Sequence, residues 1–420
     1  MGQGGRAKNR GMAIFPQTSA PLSAPGTAPL PSPDGRRPDA GTRPDGPRPA
    51  GAQPRLPALR HIGPNWYASV MGTAIVAAAG AALPVGVPGL RTACTVVWAL
   101  SALLLAAVLA ARAGHWIHHR DQACTHLLDP AVAPFYGCLS MALLAVGGAT
   151  LTVGADVIGA RAALAVDVVL FVAGTAIGLG AAVVVPYLMV VRQHRPAPGT
   201  ASPVWLLPLV APMVSATQGA PLVAHVPEGQ GREALLLACY AMFGLSLLAT
   251  LVMLPLVFAR LVHHGPLPLA LTPTLFLVLG PLGQSTTAVN QLADAAPGAV
   301  ASPYASAFGA FAVLYGVPVM GFAVLWLALA GAMVIRAARD GMGFAMTWWA
   351  FTFPVGTCVT GAAGLARHTG LSALTWLAVA LYVSLVVAWA VAGVRTVRGV
   401  VSGALTAAPG RPAPATARTR

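Results

Sequence analysis

Ten apolar stretches follow one another along this chain, at about 65–83, 90–111, 133–153, 163–191, 203–224, 234–258, 270–292, 306–335, 345–365 and 371–395. A run of roughly 20 apolar residues spans a hydrocarbon core of about 30 Å as a helix. In lipid the backbone polar groups must be satisfied within the segment, which leaves helices or a closed barrel. Runs of this length specify helices. Only 9% of the residues are charged and 56% are hydrophobic, against about 25% charged in soluble domains. The expected class is an all-α integral membrane protein with ten transmembrane helices over residues 61–400.

The ends differ in kind. Residues 1–60 are rich in Pro, Gly, Ala and Arg, with almost no large apolar side chain, and 401–420 read the same way. Such segments bury too little surface to offset their ordering entropy and are expected to be disordered. The N-terminal stretch has no apolar core behind a basic start, so it is not expected to be a cleaved signal peptide.

A net charge of +14 is compatible with a nucleic-acid partner, but its distribution argues for topology. With ten spans both termini share one side, and 21 of the 25 Lys and Arg residues fall there. Without the tails the split is seven against four, Arg91, Arg161, Arg232 and Arg367 being the four. Basic loops stay cytoplasmic. Both termini are therefore expected in the cytoplasm, the membrane being a bacterial plasma (inner) membrane, and no nucleic-acid partner is expected. The five cysteines are scattered and form no CxxC pair, so neither a disulfide framework nor a zinc site is indicated. "HWIHHRDQACTH" (115–126) has two His at i, i+4 without the acidic partner of a zinc motif, and reads as a basic linker. No metal or cofactor is expected.

Odd-numbered spans differ from even ones. Spans 1, 3, 5, 7 and 9 mix small residues with hydroxyls, and spans 5 and 7 carry the amides Gln218, Gln284 and Asn290. The even spans read as ordinary lipid-facing helices, though Pro186, Pro255 and Pro318 lie in them. Proline in a helix frees the carbonyl four residues earlier and bends the axis. Pro212, Pro281 and Pro354 would free Pro208, Leu277 and Ala350. An orphan carbonyl at membrane depth must face protein or a wet cavity, which suits bent helices around an aqueous path. Small residues also serve plain helix packing, and that bland reading of the odd spans stands beside the first. No odd span has an ionisable residue in its interior. A conduit without fixed charge binds ions weakly and releases them quickly, and a basic protein attracts anions.

"GPNWYASVMGTAIVA" (63–77), "PFYGCLSMALLAVG" (134–147), "PLVAPMVSATQGAPL" (208–222), "LGPLGQSTTAVNQL" (279–292) and "TWWAFTFPVGTC" (347–358) resemble the tellurite-resistance/dicarboxylate transporter family, which is related to the plant guard-cell slow anion channels and to fungal malate and sulfite permeases. The resemblance covers all ten spans and neither tail. It implies five helical hairpins in a quasi-five-fold ring around a central pore, with the odd helices inside, as a homotrimer. It also implies a gate: the phenylalanine before the proline of the ninth span, here Phe353, plugging the pore. Phe351 is the comparison position. Ala74 stands where the family's first span often has glycine.

The function expected is a passive channel or permease for small inorganic or carboxylate anions, with Phe353 as gate. Its pore would be lined by Ser69, Thr73, Ser140, Ser215, Thr217, Ser285, Thr286, Thr352 and Thr357. The alternative is a proton-coupled C4-dicarboxylate or sulfite transporter on the same fold. A membrane enzyme would need a cluster of His, Asp or Glu at one membrane face, and the sequence has none beyond the linker.

Overall fold

Three apolar stretches begin alike, with a proline first or second in a single 3-10 turn: Pro64–Trp66, Ala133–Phe135 and Pro203–Trp205. Proline is favoured at the start of a helix, because its missing N–H would have no partner there and its φ is already helical. The computed structural model describes residues 62–191 and 199–405. Of the tails expected to be disordered, 1–60 and 406–420 lie outside the described residues, while Val401 closes the last helix and 402–405 form a turn behind it.

The main helices are α1 (Tyr67–Ala81), α2 (Leu90–His118), α3 (Tyr136–Ala149), α4 (Ala160–Val191), α5 (Leu206–Leu222), α6 (Gln230–His264), α7 (Leu279–Ala295), α8 (Tyr304–Arg339), α9 (Phe353–Thr369) and α10 (Ser372–Val401). Short helices Arg120–Leu128 and Ala155–Ile158 lie in the connections, the second joined to α3 by a π-turn, Thr150–Gly154. No strand occurs among the described residues.

Eight of the helical stretches are long and apolar enough to cross a membrane. The expected first and seventh spans do not reach that measure. Alpha1 has 15 residues, and α7 has 17 after a ten-residue 3-10 segment, Leu269–Val278. Prolines 64 and 273 and the many small residues account for this, since they end or tighten the helix and lower its hydropathy.

The parity seen in the sequence is a difference in burial. The stretches containing α3, α5 and α9 are 78–89% buried by the rest of the protein, against 17–28% for α2, α4, α6, α8 and α10. A helix apolar all round and so little covered belongs against hydrocarbon. Alpha2 alone, at 29 residues, is about 44 Å long.

Each even helix packs on the odd helix before it and touches the odd helix after it, with α10 reaching α1. Among the odd helices α1 packs on α3 and α9, α5 on α3 and α7, and α7 on α9. The last pair is close because glycines face each other: a Cβ added to Gly361 would lie 3.1 Å from the Gly283 carbonyl oxygen. Such approaches are how membrane helices gain dispersion contact without a hydrophobic driving force.

The prolines do not act as expected. Pro354 is the second residue of α9, behind a 3-10 segment, Met346–Phe351, and a break at Thr352 (φ −97°, ψ −77°). Pro281 is the third residue of α7. Both sit in a first turn, where no N–H is required, so the backbone changes its winding just before them and is not bent mid-helix.

Pro212 does lie inside α5, and its distortion is repaired from outside. Ser246 of α6 accepts a hydrogen bond from the Met213 N–H at 3.0 Å and donates its own proton to the Leu209 carbonyl. The hydroxyl is thus inserted between the two groups that an undistorted helix would pair.

Candidate pore and gate

Thr352 breaks the winding, so Phe353 opens α9 as its first residue, and its side chain is 3% exposed. Beside it lies a cavity of about 10 Å³ whose walls include Met71 of α1, Met141 of α3, Val210 of α5, and Leu277 and Gly280 at the start of α7. All five odd helices or their lead-in segments therefore meet at this ring. Roughly 10–15 Å³ is the least that holds one water, which would also need polar partners. The side chains here offer none, so the site is dry and apolar.

A second cavity, about 310 Å³, is lined by side chains near the C-terminal ends of the same five helices. Its wall carries Gln284, Asn290 and Gln291 of α7, Gln218 of α5, Thr360 and Arg367 of α9, and Arg91 of α2. Gln284 lies four residues beyond Gly280, and Thr360 seven beyond Phe353. At 1.5 Å per residue the polar chamber therefore begins about 6–10 Å from the apolar cavity.

Its polar groups are held in place. Gln284 donates from Nε2 to Thr217 Oγ1, which itself donates to the Val214 carbonyl at 2.7 Å. Thr287 and Thr360 share a hydroxyl–hydroxyl bond of 2.7 Å. Asn290 Nδ2 donates to the Thr286 carbonyl at 2.7 Å, which directs the amide and leaves Oδ1 without a partner. Arg91 forks onto Asp156 at 2.6 and 2.9 Å and reaches the Thr152 carbonyl at 3.0 Å. Arg367 stands 3.4 Å from Asp294. Two guanidiniums and several amides thus border this chamber, on the C-terminal side of the apolar cavity beside Phe353.

Of the residues expected at the pore, Phe353 lines the small cavity and none of the nine hydroxyls borders either cavity. All nine are buried, and each donates to a backbone carbonyl. Ser69, Thr73, Ser215, Ser285, Thr286 and Thr352 bond carbonyls three or four residues earlier in their own segments. Thr217 and Thr357 do the same, Thr217 also positioning Gln284. Ser140 turns outward and donates to the Gly174 carbonyl of α4 at 2.7 Å, while Thr73 accepts the Trp389 indole N–H of α10 at 3.1 Å. A hydroxyl in a helical bundle finds the nearest carbonyl, and all nine do so here.

Phe351 packs edge-on against Phe276 at 4.8 Å and beside Trp348 at 5.9 Å. Trp348 in turn lies under Arg395, at 4.8 Å. Trp349 is buried and donates to Thr396 of α10 at 3.0 Å, so the two tryptophans wedge α9 against α10.

Sequence reasoning missed the methionines and aliphatic residues around Phe353, which look like any packing side chain. It also missed the chamber, although Gln284, Thr287, Asn290 and Gln291 recur at helical spacing on one face of α7.

Comparison with known proteins addresses the family. Over 357 residues the chain is 25% identical to an uncharacterized transporter of Methanocaldococcus jannaschii, covering 83% of this chain and 96% of that protein. It is 27% identical over 312 residues to the sulfite efflux pump SSU1 of Trichophyton rubrum, covering 72% and 81% respectively. A sulfite efflux pump of Arthroderma benhamiae is 26% identical over the same length. Residues 61–397 match the voltage-dependent anion channel family SLAC1. With its apolar helices, the chain is a multi-pass membrane protein of the anion-transporter class, and it belongs to the SLAC1 family.

Proposed function

We propose that this protein is a passive channel or permease for small anions, closed by the ring of Phe353. The observation that carries the reading is the meeting of all five odd helices at one dry cavity beside Phe353, directly beneath a polar chamber bordered by Arg91 and Arg367. An ion entering such a constriction must shed water with nothing to replace it, and hydrophobic constrictions gate in this way. The two arginines draw anions toward the chamber, and its amides replace part of a hydration shell.

The packing of α1 on α3 and α9, and of α5 and α7 between them, supports five hairpins in a quasi-five-fold ring around one axis. The distribution of Arg and Lys supports a plasma-membrane protein with both termini in the cytoplasm, which puts the chamber on the outer face. The family resemblance extends the reading to a homotrimer.

Sulfite is the anion favoured by a specific observation, the likeness to fungal sulfite efflux pumps. A proton-coupled carrier for sulfite or C4-dicarboxylates is the second reading. Reversal potentials in planar bilayers, under an anion gradient with and without a pH gradient, separate the two. A potential that follows the anion and ignores pH supports the channel. Saturable, pH-driven sulfite uptake into vesicles without current supports the carrier.

A further inference from the structure

A cleft of about 300 Å³ opens between α6 and α8 near their C-terminal ends, the last turns of which carry Arg260 and Arg336 with Arg339 respectively. Its walls are Phe258 and Val262 of α6, and Trp326, Leu329 and Met333 of α8. Its floor is Leu275, which belongs to the 3-10 segment before α7. One charged group, Arg336, stands at the rim.

We propose that this cleft binds one acyl chain of an anionic phospholipid, with the lipid phosphate on Arg336, and that its occupancy reinforces the closed plug. Three observations argue for this occupant. Alpha6 and α8 are covered by the rest of the protein over only 22% of their apolar stretches, so the cleft opens toward hydrocarbon. A helix is about 10–12 Å across with its side chains and cannot enter a cleft of this volume, whereas an extended hydrocarbon chain can; that disfavours a second copy of the protein. The Arg336 guanidinium meets Asp340 only loosely, Nε to Oδ2 at 3.8 Å, and its side chain is 66% exposed. Its terminal N–H groups remain open to a phosphate, which they bind as a fork, in the leaflet where basic residues meet anionic lipid.

The same segment touches both the cleft and the plug. The Trp326 indole N–H donates to the Leu275 carbonyl at 3.0 Å, tying the cleft wall to the floor. Two residues on, Leu277 is in the wall of the Phe353 cavity, and Phe276 between them packs on Phe351. A chain lying on Leu275 holds the segment inward and presses Leu277 toward Phe353. The coupling rests on Phe353 being the gate; the lipid site does not.

The test reads binding and current separately. Native mass spectrometry after reconstitution in phosphatidylcholine vesicles with or without phosphatidylglycerol measures retained lipid. Wild type is expected to retain phosphatidylglycerol about fivefold better than phosphatidylcholine, the preference that one basic residue near the surface confers. Arg336→Gln should lose that preference, and Leu329→Trp, which fills the cleft from a half-exposed position, should retain neither lipid. Equal retention of both lipids by wild type, or unchanged retention in both variants, overturns the site. So does disulfide cross-linking of Val262→Cys between copies, which would give the cleft to a neighbouring protomer.

Anion current is then compared in the same membranes. It should fall when phosphatidylglycerol is added to wild type and fall less in Arg336→Gln, which meets the same surface potential. It should be low in Leu329→Trp without any anionic lipid. Lipid retained with no difference in current between wild type and Arg336→Gln would overturn the coupling while leaving the site.

Discussion

Ser246→Ala tests how the buried odd helices are shaped. The hydroxyl lies between the Met213 N–H and the Leu209 carbonyl, one turn apart in α5 around Pro212, and all three residues are buried. Removing it leaves a donor and an acceptor without partners. Each such group costs about 1–3 kcal/mol, so the loss should be about 2–6 kcal/mol if the bend persists. The helix can also relax by closing its own Met213–Leu209 bond. That recovers part of the loss but straightens α5 and moves Val210, which stands in the plug. The assay is unfolding in mixed micelles by SDS titration, with anion current measured on the same preparation. A loss of at least about 2 kcal/mol, or a smaller loss with altered current, is expected. Stability within about 0.5 kcal/mol of wild type, as for an ordinary surface substitution, together with unchanged current would refute the insertion.

Two further substitutions probe the walls. Gly72→Ala places a Cβ 2.9 Å from Trp349 Cε3 and closer still to the Thr352 hydroxyl; such overpacking costs about 1–3 kcal/mol and should shift the break that precedes Phe353, seen as lower thermal stability together with a changed current. Arg91→Gln removes an exposed ion pair worth at most about 1 kcal/mol, so stability should hardly change, while anion flux through a Phe353→Ala background should drop at low ionic strength and recover in 1 M salt, where the Debye length is about 3 Å.

Much of the architecture was legible in the sequence because composition follows environment. An outer helix such as α10 needs only apolar bulk, whereas α7 must approach α9 closely at Gly283 and carry Gln284 and Asn290 beside a polar chamber. What was not legible depends on partners distant in the chain. Ser246 reads as an unremarkable residue of an even span until Pro212 is seen beside it. The nine hydroxyls of the odd spans suggested a lining, but a hydroxyl's nearest acceptor is usually its own helix. Pro354 looks like a mid-span bend because apolar character continues through the 3-10 segment before it. The proposal of Phe353 as gate came from the residues resembling a known family, since Met71, Met141 and Leu277 carry no signal that separates a gate from a core.

The account rests on Phe353 blocking conduction, and currents in planar bilayers test that most directly. Phe351 is the internal control: it is two residues away, aromatic, and packed on Phe276 outside the plug. Wild type, Phe353→Ala and Phe351→Ala are compared under one anion gradient. The expected result is a current raised at least tenfold by Phe353→Ala, corresponding to about 1.4 kcal/mol of barrier, with Phe351→Ala near wild type. Equal currents from all three proteins, or an increase from Phe351→Ala alone, would contradict the assignment of Phe353 as the gate.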